Sequence, residues 1–182
     1  MSQRPWLRLG VITLALAALL HVLIVWLVPF AITSVFMSRV AAQAGYNRIL
    51  TPPLPTDTAR QIVKPSPDLL FALCVYDVSS GMVRITAKPP ASYWSLSLYD
   101  RNTDNYFKIN AAAVKGDTVD LILGAAPDAG AAAARFPAAT YVRTPRATGV
   151  MLARMLVLDP ASAAAALETQ KTIRCAPLDS RG

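Results

Sequence analysis

The amino-terminal part of the chain contains a long run without a charged side chain, from residue 9 to residue 38. About 20 apolar residues are enough to cross the core of a bilayer, which is about 30 Å thick. The run exceeds this length, and tilt or an interfacial extension would absorb the surplus. A buried helix of a soluble protein is the alternative, but the length and purity of the run disfavour it. The sequence therefore predicts one transmembrane helix, with residues 1–38 forming a short tail and an anchor.

A cleaved signal peptide is a second alternative for the same run. Signal peptides have an apolar core of about 7–15 residues followed by a small-residue cleavage site, and residues 42–44 (Ala-Gln-Ala) resemble such a site. The run is about twice that length, and Arg39 lies between it and the site, so a retained anchor is favoured. We expect the span to end near Val28, where Pro29 would kink or end its hydrophobic core.

Basic residues set the orientation of the span only weakly. Arg4 and Arg8 precede the run, and Arg39 and Arg48 follow it, so the positive-inside count is nearly balanced. The preceding tail is too short to be a domain, whereas the following segment is long enough for one. We therefore expect a single-pass protein of the inner (cytoplasmic) membrane, with its domain facing the periplasm or cell exterior and the lipid bilayer contacted through the helix.

Composition limits the remaining possibilities. The chain has 182 residues and a formal net charge of +7, but its basic residues are scattered, which does not favour nucleic-acid binding. Residues 39–67 are rich in proline, which forbids helix, and we expect them to form an extended linker that holds the domain off the membrane. Residues 68–182 would form one domain of ordinary size.

The pattern after residue 68 is typical of a mainly β protein. Apolar and polar residues alternate in short runs separated by turn residues, which predicts an antiparallel β-sandwich. The alanine-rich residues 124–134 are expected to form a surface loop, and Pro160 begins one short C-terminal helix. The predicted strands are 69–78, 83–87, 93–99, 106–109, 118–123, 139–143 and 150–158.

The chain contains two cysteines, Cys74 and Cys175. A cysteine pair in an exported domain is a candidate disulfide, because such compartments are oxidising. The bond would close a loop of about 100 residues, which could contribute roughly 4–5 kcal/mol in the chain-entropy description. Two buried thiols are the alternative.

The only histidine, His21, lies inside the predicted anchor. The domain that follows therefore lacks the imidazole of Ser-His or Cys-His nucleophilic pairs and of histidine-based metal sites. The chain also shows no glycine-rich phosphate loop. We accordingly expect no metal and no cofactor.

Acidic residues at strand ends are the remaining candidates for chemistry. Asp68, Asp77 and Asp100 could supply paired carboxylates for acid–base catalysis, although such residues are more often turn residues. Asp100 and Asp104 also have the spacing that opens a calcium loop, but its sixth and twelfth positions, a glycine and a glutamate in the full motif, are Asn105 and an alanine. A tight turn is therefore favoured there.

An aromatic group in the third predicted strand is a candidate interaction surface. Trp94 shares one face of the strand with two leucines, while Tyr93 and Tyr99 lie on the other face. These side chains could bind a sugar, a lipid or a protein partner. Core and cross-strand packing is the alternative for such aromatics.

The segment IVKPSPDLLFALCVYDVSSGMVRITAKPPASYWSLSLYDRNTDNYFKIN, residues 62–110, resembles the core of the family called domain of unknown function 1254. The chain departs from the family pattern at Leu69, Phe71 and Met82, and at the residues directly after Pro65. Later residues, with Arg154 among them, are similar to the family's final strands. The matching positions are Pro65, Asp68, Asp77, Gly81, Tyr93, Asp100 and Asn105.

The resemblance implies an immunoglobulin-like β-sandwich, in agreement with the strand pattern, and implies no activity or catalytic residue. Members of the family often carry a second, jelly-roll domain, the domain of unknown function 1214. We therefore expect a separately encoded protein partner of that companion family.

These observations favour a membrane-anchored, exported β-sandwich that acts as a non-catalytic binding or structural component of a cell-envelope complex. Two alternatives remain open at this stage. One is a carboxylate-based enzyme or enzyme subunit, and the other is an envelope protein that binds lipids or glycans.

Overall fold

Three α-helices and nine β-strands are found in the part of the chain that the computed structural model describes, which is residues 5–56, 58, 65–114 and 116–178. The helices are α1 (Pro5–Ala44), α2 (Ala129–Arg135) and α3 (Pro160–Thr172). The strands are β1 (Ile49–Leu50), β2 (Leu69–Asp77), β3 (Val83–Ala87), β4 (Trp94–Tyr99), β5 (Asn105–Asn110), β6 (Val119–Gly124), β7 (Thr140–Arg143), β8 (Thr148–Leu156) and β9 (Arg174–Pro177).

The strands form two sheets. The five-stranded sheet has the order β1-β2-β8-β4-β5, and the four-stranded sheet has the order β7-β6-β3-β9. Every pair of neighbouring strands is antiparallel except β6 and β7, which run parallel. The mainly β fold, the long amino-terminal helix and the C-terminal helix are thus confirmed, and the parallel pair is a departure from the fully antiparallel prediction.

The inner faces of the two sheets share one apolar core. Successive strand residues point to opposite sides, so alternate residues of β2 enter this core, from Leu70 to Tyr76. The core contains Trp94, Leu96 and Leu98 from β4, together with Val83, Ile85, Leu121, Leu123, Met151, Ala153, Met155 and Ile173.

A disulfide connects the two sheets through this core. It joins Cys74 on β2 to Cys175 on β9, with 6.5 Å between their Cα atoms, and both residues are buried. The bond also holds the C-terminal strand, which follows α3, against the opposite sheet. The cross-link therefore lies between parts of the fold that are distant in sequence.

Two local predictions differ from the structure. Residues 124–134, predicted as a loop, contain most of α2, because a run of alanines has high helix propensity. Pro29, predicted to kink or end the hydrophobic core of the span, lies inside α1 directly after its uninterrupted exposed stretch. The helix continues beyond residue 38 to Ala44 because its last turns pack on the five-stranded sheet, which offsets the backbone hydrogen bond that proline removes.

The predicted linker, residues 39–67, is partly folded in the structure. Residues 39–44 belong to α1, and Ile49–Leu50 pairs with β2 as an edge strand, so the first part of the segment is folded onto the domain. The described part from residue 51 to residue 56 has neither helix nor strand, as expected for its prolines. Residues 57 and 59–64 of the predicted linker lie outside the described residues.

Replacing Cys175 by serine should lower the free energy of unfolding by about 4 kcal/mol, because the disulfide closes a loop with a sequence separation of 101 residues. Cys74→Ser should cause the same loss, and the double variant should lose no more than either single variant. Denaturant unfolding with and without reductant measures the effect. Complete alkylation of both thiols in the unreduced native protein would contradict the prediction.

Gly149 on β8 lies directly opposite Tyr76 on β2. A Cβ atom at this glycine would overlap the Tyr76 hydroxyl and the carbonyl oxygen of Tyr99. Gly149→Ala should therefore destabilise the fold by about 1–3 kcal/mol through overpacking. Gly130→Ala is the matched control, because a Cβ there meets open space and alanine favours the helix. Equal unfolding midpoints for the two variants would contradict this interpretation.

Candidate functional site

Helix α1 has two parts with different surroundings. Every residue from 5 to 28 is exposed, although most of these side chains are apolar. Among the described residues, α1 is the one helix that is long and apolar enough to cross a membrane. With 40 residues it is about 60 Å long, roughly twice the thickness of a bilayer core. About half of the helix would therefore be long enough to span a bilayer core, and the other half extends beyond that length.

The second part of α1 packs on the outer face of the five-stranded sheet. Thr33, Met37 and Val40 are buried, at the spacing of three to four residues that places side chains on one helical face. Met37 and Val40 form a small apolar cluster, separate from the main core, with Leu73, Val75 and Val150. The domain is thus attached directly to the helix that carries the exposed apolar residues.

Two arginines contact α1 at the start of this packed part. The guanidinium of Arg101 donates a hydrogen bond of 3.0 Å to the Ser34 hydroxyl. The guanidinium of Arg146 lies over the Phe30 ring, 5.4 Å from its centroid, and forms an ion pair with Asp100. Both cations therefore contact α1 within two turns of the end of its uninterrupted exposed stretch, residues 5–28.

A groove lies beside the packed part of α1, with a volume of about 710 Å³. Its floor is the outer face of the five-stranded sheet, its first wall is α1, and its second wall is the extended proline-rich segment 52–56 together with Pro65. We call this space the helix–sheet groove. Its lining is mainly apolar and includes Ile32, Phe36, Phe71, Leu73, Val150 and Leu152.

Few polar side chains line the helix–sheet groove. Arg154 on β8 donates a hydrogen bond of 3.1 Å to the hydroxyl of Tyr99 on β4, and both side chains line the groove. Within the described part of the chain, Arg154 makes no ion pair. Asp100 and Thr103 also line the groove near Tyr99. The sequence pattern did not predict that Arg154 lines a groove. Alternation along β8 nevertheless places Arg154 on the same face as the apolar residues Val150 and Leu152.

The structure does not gather the predicted acidic residues into one site. Asp68 and Asp77 flank opposite ends of β2, about 30 Å apart for a strand of nine residues. The Asp77 carboxylate accepts a 2.8 Å hydrogen bond from the Ser79 amide, as a turn residue does. The described residues include no group of three or more His, Cys, Asp or Glu side chains that could hold a metal ion.

Asp100 and Asp104 share the turn between β4 and β5. Asp100 is only 4% exposed, and its carboxylate accepts a 2.7 Å hydrogen bond from the Arg101 amide besides pairing with Arg146. The Asp104 carboxylate accepts a hydrogen bond of 2.5 Å from the Asn102 side chain. Both carboxylates therefore make the local hydrogen bonds of a tight turn, and Asp100 also anchors that turn to Arg146.

The aromatic residues proposed as an interaction surface separate into three environments. Trp94 is 3% exposed because strand alternation directs it into the core, so it does not contribute to a surface. Tyr93 precedes β4 and is 57% exposed. Tyr99 lines the helix–sheet groove. Of the three, Tyr99 is the one that the structure brings into a concave site.

Tyr76 on β2 and Tyr106 on β5 form a pair at the main core. The hydroxyls of Tyr76 and Tyr106 are 2.6 Å apart and share a hydrogen bond. Burial raises the pKa of Tyr76 from 10.0 to about 12. Burial raises the pKa of Tyr106 as well, and the neighbouring Tyr76 adds to the increase. Both phenols are therefore protonated at neutral pH and serve the packing of the core.

Residues 46–177 match the family described as "Protein of unknown function (DUF1254)". The match covers well over half of the chain, and the chain belongs to this family. The predicted resemblance is thereby confirmed at the level of the domain. The family description assigns no activity. No curated protein matches the chain.

Two solved structures share the fold. One is the VPA0106 protein from Vibrio parahaemolyticus, with a TM-score of 0.64 and 15% identity over 85% of this chain and 36% of that one. The other is an uncharacterized protein from Burkholderia cenocepacia, with a TM-score of 0.52 and 17% identity over 86% of this chain and 42% of that one. The present chain therefore spans less than half the length of either protein.

The tyrosine pair predicts a loss of stability at alkaline pH. An unfolded tyrosine ionises near pH 10, whereas folded Tyr76 ionises near 12. Its contribution is therefore fully present below about pH 10 and is lost as the pH rises from 10 towards 12. Thermal unfolding at pH 8, 10 and 11 measures the decline. Tyr93→Phe is the control, because this exposed residue should leave the pH profile unchanged.

Proposed function

We propose that this chain is a single-pass membrane protein whose β-domain is exported and acts as a non-catalytic binding or structural module of the cell envelope. One observation carries the proposal: a single continuous helix exposes its apolar residues from 5 to 28 and then packs on the domain with its next turns. Exposed apolar surface of this extent is unfavourable in water and favourable in a bilayer.

The same helix supports a location of the domain directly at the membrane surface. Because α1 is continuous to Ala44, no flexible segment separates the exposed apolar part from the packed part. Arg101 and Arg146 lie at the junction, where cationic side chains favour the headgroup layer of a bilayer. The extended linker expected from the prolines would instead have held the domain away from the membrane.

The enzyme alternative receives less support from the geometry. The carboxylates that the sequence offered occupy separate strand ends and tight turns, and Asp100 is paired with Arg146. The helix–sheet groove contains Arg154 and Tyr99 but has the apolar lining of a binding site. We therefore favour binding over catalysis as the function of this domain.

A protein partner is the second candidate function. The two similar solved structures extend well beyond the part that matches this chain. In the described residues, β5 forms one edge of the five-stranded sheet and pairs with β4 alone, so it could accept a further strand. A companion of the domain of unknown function 1214 family, and the immunoglobulin-like class of the sandwich, remain predictions.

The topology can be tested with fusions at the two ends of the chain. Alkaline phosphatase attached to the carboxyl end should be active in cells, while a fluorescent protein there should be dark, because the domain is exported. A fluorescent protein at the amino end is the matched control and should fluoresce. The reverse pattern would reject the proposed orientation. A mature protein that begins at Gly45 would reject the retained anchor.

A further inference from the structure

We propose that the helix–sheet groove binds one acyl chain of an anionic phospholipid from the leaflet that α1 crosses, with Arg154 facing the phosphate of the headgroup. This inference rests on the proposed membrane topology and specifies the ligand class of the module. Three observations carry it: the continuity of the groove with the apolar span, the nature of its lining, and the position of the cation within it.

The groove begins where the uninterrupted exposed stretch of α1 ends. Ile32 lines the groove and is 62% exposed, and it follows Val28, the last residue of that stretch, by about 6 Å along the helix. An acyl chain in the adjacent leaflet can therefore pass along α1 from the bilayer into the groove without crossing a polar surface of the helix. Continuity with the bilayer makes lipid the occupant that the location favours.

The lining suits a flexible hydrocarbon chain. The floor is formed by Phe71, Leu73 and Leu152, and the prolines of segment 52–56 add an apolar wall without backbone N–H groups. The volume of about 710 Å³ lies within the range of ligand sites in proteins, about 300–1,000 Å³. Covering these side chains with an acyl chain removes apolar surface from water, which is the main driving force expected for binding.

Arg154 supplies the charge that an anionic headgroup would complement. Its guanidinium contacts Tyr99 and makes no ion pair within the described part of the chain, while the nearest carboxylate in the lining, Asp100, is already paired with Arg146. Free guanidinium donors match phosphate oxygens in geometry. The helix–sheet groove therefore combines an apolar lining with one cationic side chain, Arg154, that makes no ion pair within the described part of the chain.

The direction of the groove agrees with the orientation of a membrane lipid. Along the chain, Val150 follows by four residues Arg146, which contacts Phe30 near the end of the exposed stretch, and Arg154 lies four residues further along β8, a distance of about 13 Å. A lipid that moves outward into the groove would keep its headgroup away from the membrane and its chain towards it. The site therefore does not require the lipid to invert.

Photocrosslinking of the full chain in lipid nanodiscs tests this inference. The discs contain phosphatidylglycerol or phosphatidylcholine with a diazirine near the end of one acyl chain, and crosslinked peptides are identified by mass spectrometry. We expect crosslinks to residues 9–28 from the surrounding bilayer, and additional crosslinks to residues 71–73 and 150–152 from the groove. The groove crosslinks should be stronger with phosphatidylglycerol than with phosphatidylcholine.

Two variants with matched controls separate the contributions of shape and charge. Leu152→Trp fills the groove and should abolish the groove crosslinks, whereas Leu158→Trp, at an exposed position outside the lining, should retain them. Arg154→Gln should retain chain binding but lose the preference for phosphatidylglycerol, up to about fivefold for a partly exposed ion pair. Arg143→Gln, an exposed residue on the other sheet, is the charge control.

The outcomes distinguish a failure of the groove as a lipid site from a failure of the proposed membrane anchor. Crosslinks confined to residues 9–28 would overturn the groove as a lipid site and leave the membrane anchor intact. An absence of crosslinks to residues 9–28 would instead reject the anchor itself. Groove crosslinks that persist unchanged in Leu152→Trp would overturn the proposed site for the acyl chain. Equal labelling of the groove by both lipids would overturn the role of Arg154.

Discussion

The packing of α1 on the outer face of the five-stranded sheet is the constraint on which the rest of the structure depends. One helix must satisfy two environments, because its first part exposes apolar side chains and its second part buries Met37 and Val40 on Leu73, Val75 and Val150. The helix therefore extends through Pro29, and the proline-rich segment folds back beside it. The helix–sheet groove is the space that remains between these two walls.

This arrangement explains why the five-stranded sheet is apolar on both faces. Strands β2 and β8 direct alternate residues into the main core and place the others under α1 or in the groove. Strands that are covered on both faces read as nearly continuous apolar runs, and LLFALC in β2 is such a run. In the opposite sheet, β3 alternates between buried and half-buried residues, whereas β6 also buries Ile122 on the side away from the main core.

Much of the fold could be predicted from local patterns. The apolar run, the strand alternation and Pro160 at a helix start depend on neighbours in sequence, and the corresponding elements are present in the structure. The site could not be predicted in the same way. Arg154, Tyr99 and Ile32 come from three separate elements, and no spacing in the sequence relates them. Trp94 illustrates the reverse problem, since an aromatic side chain suggests a binding surface until its burial is known.

By itself, the sequence determined that the chain has one long apolar helix and a mainly β domain, because hydrophobic length and period-two alternation are properties of short stretches of chain. Only the tertiary structure decided where that helix ends, which sheet it covers, and that an apolar groove lies next to it. These features depend on contacts between residues far apart in the chain. Their energies come from surface that is buried only when the helix, the sheet and the proline-rich segment are together.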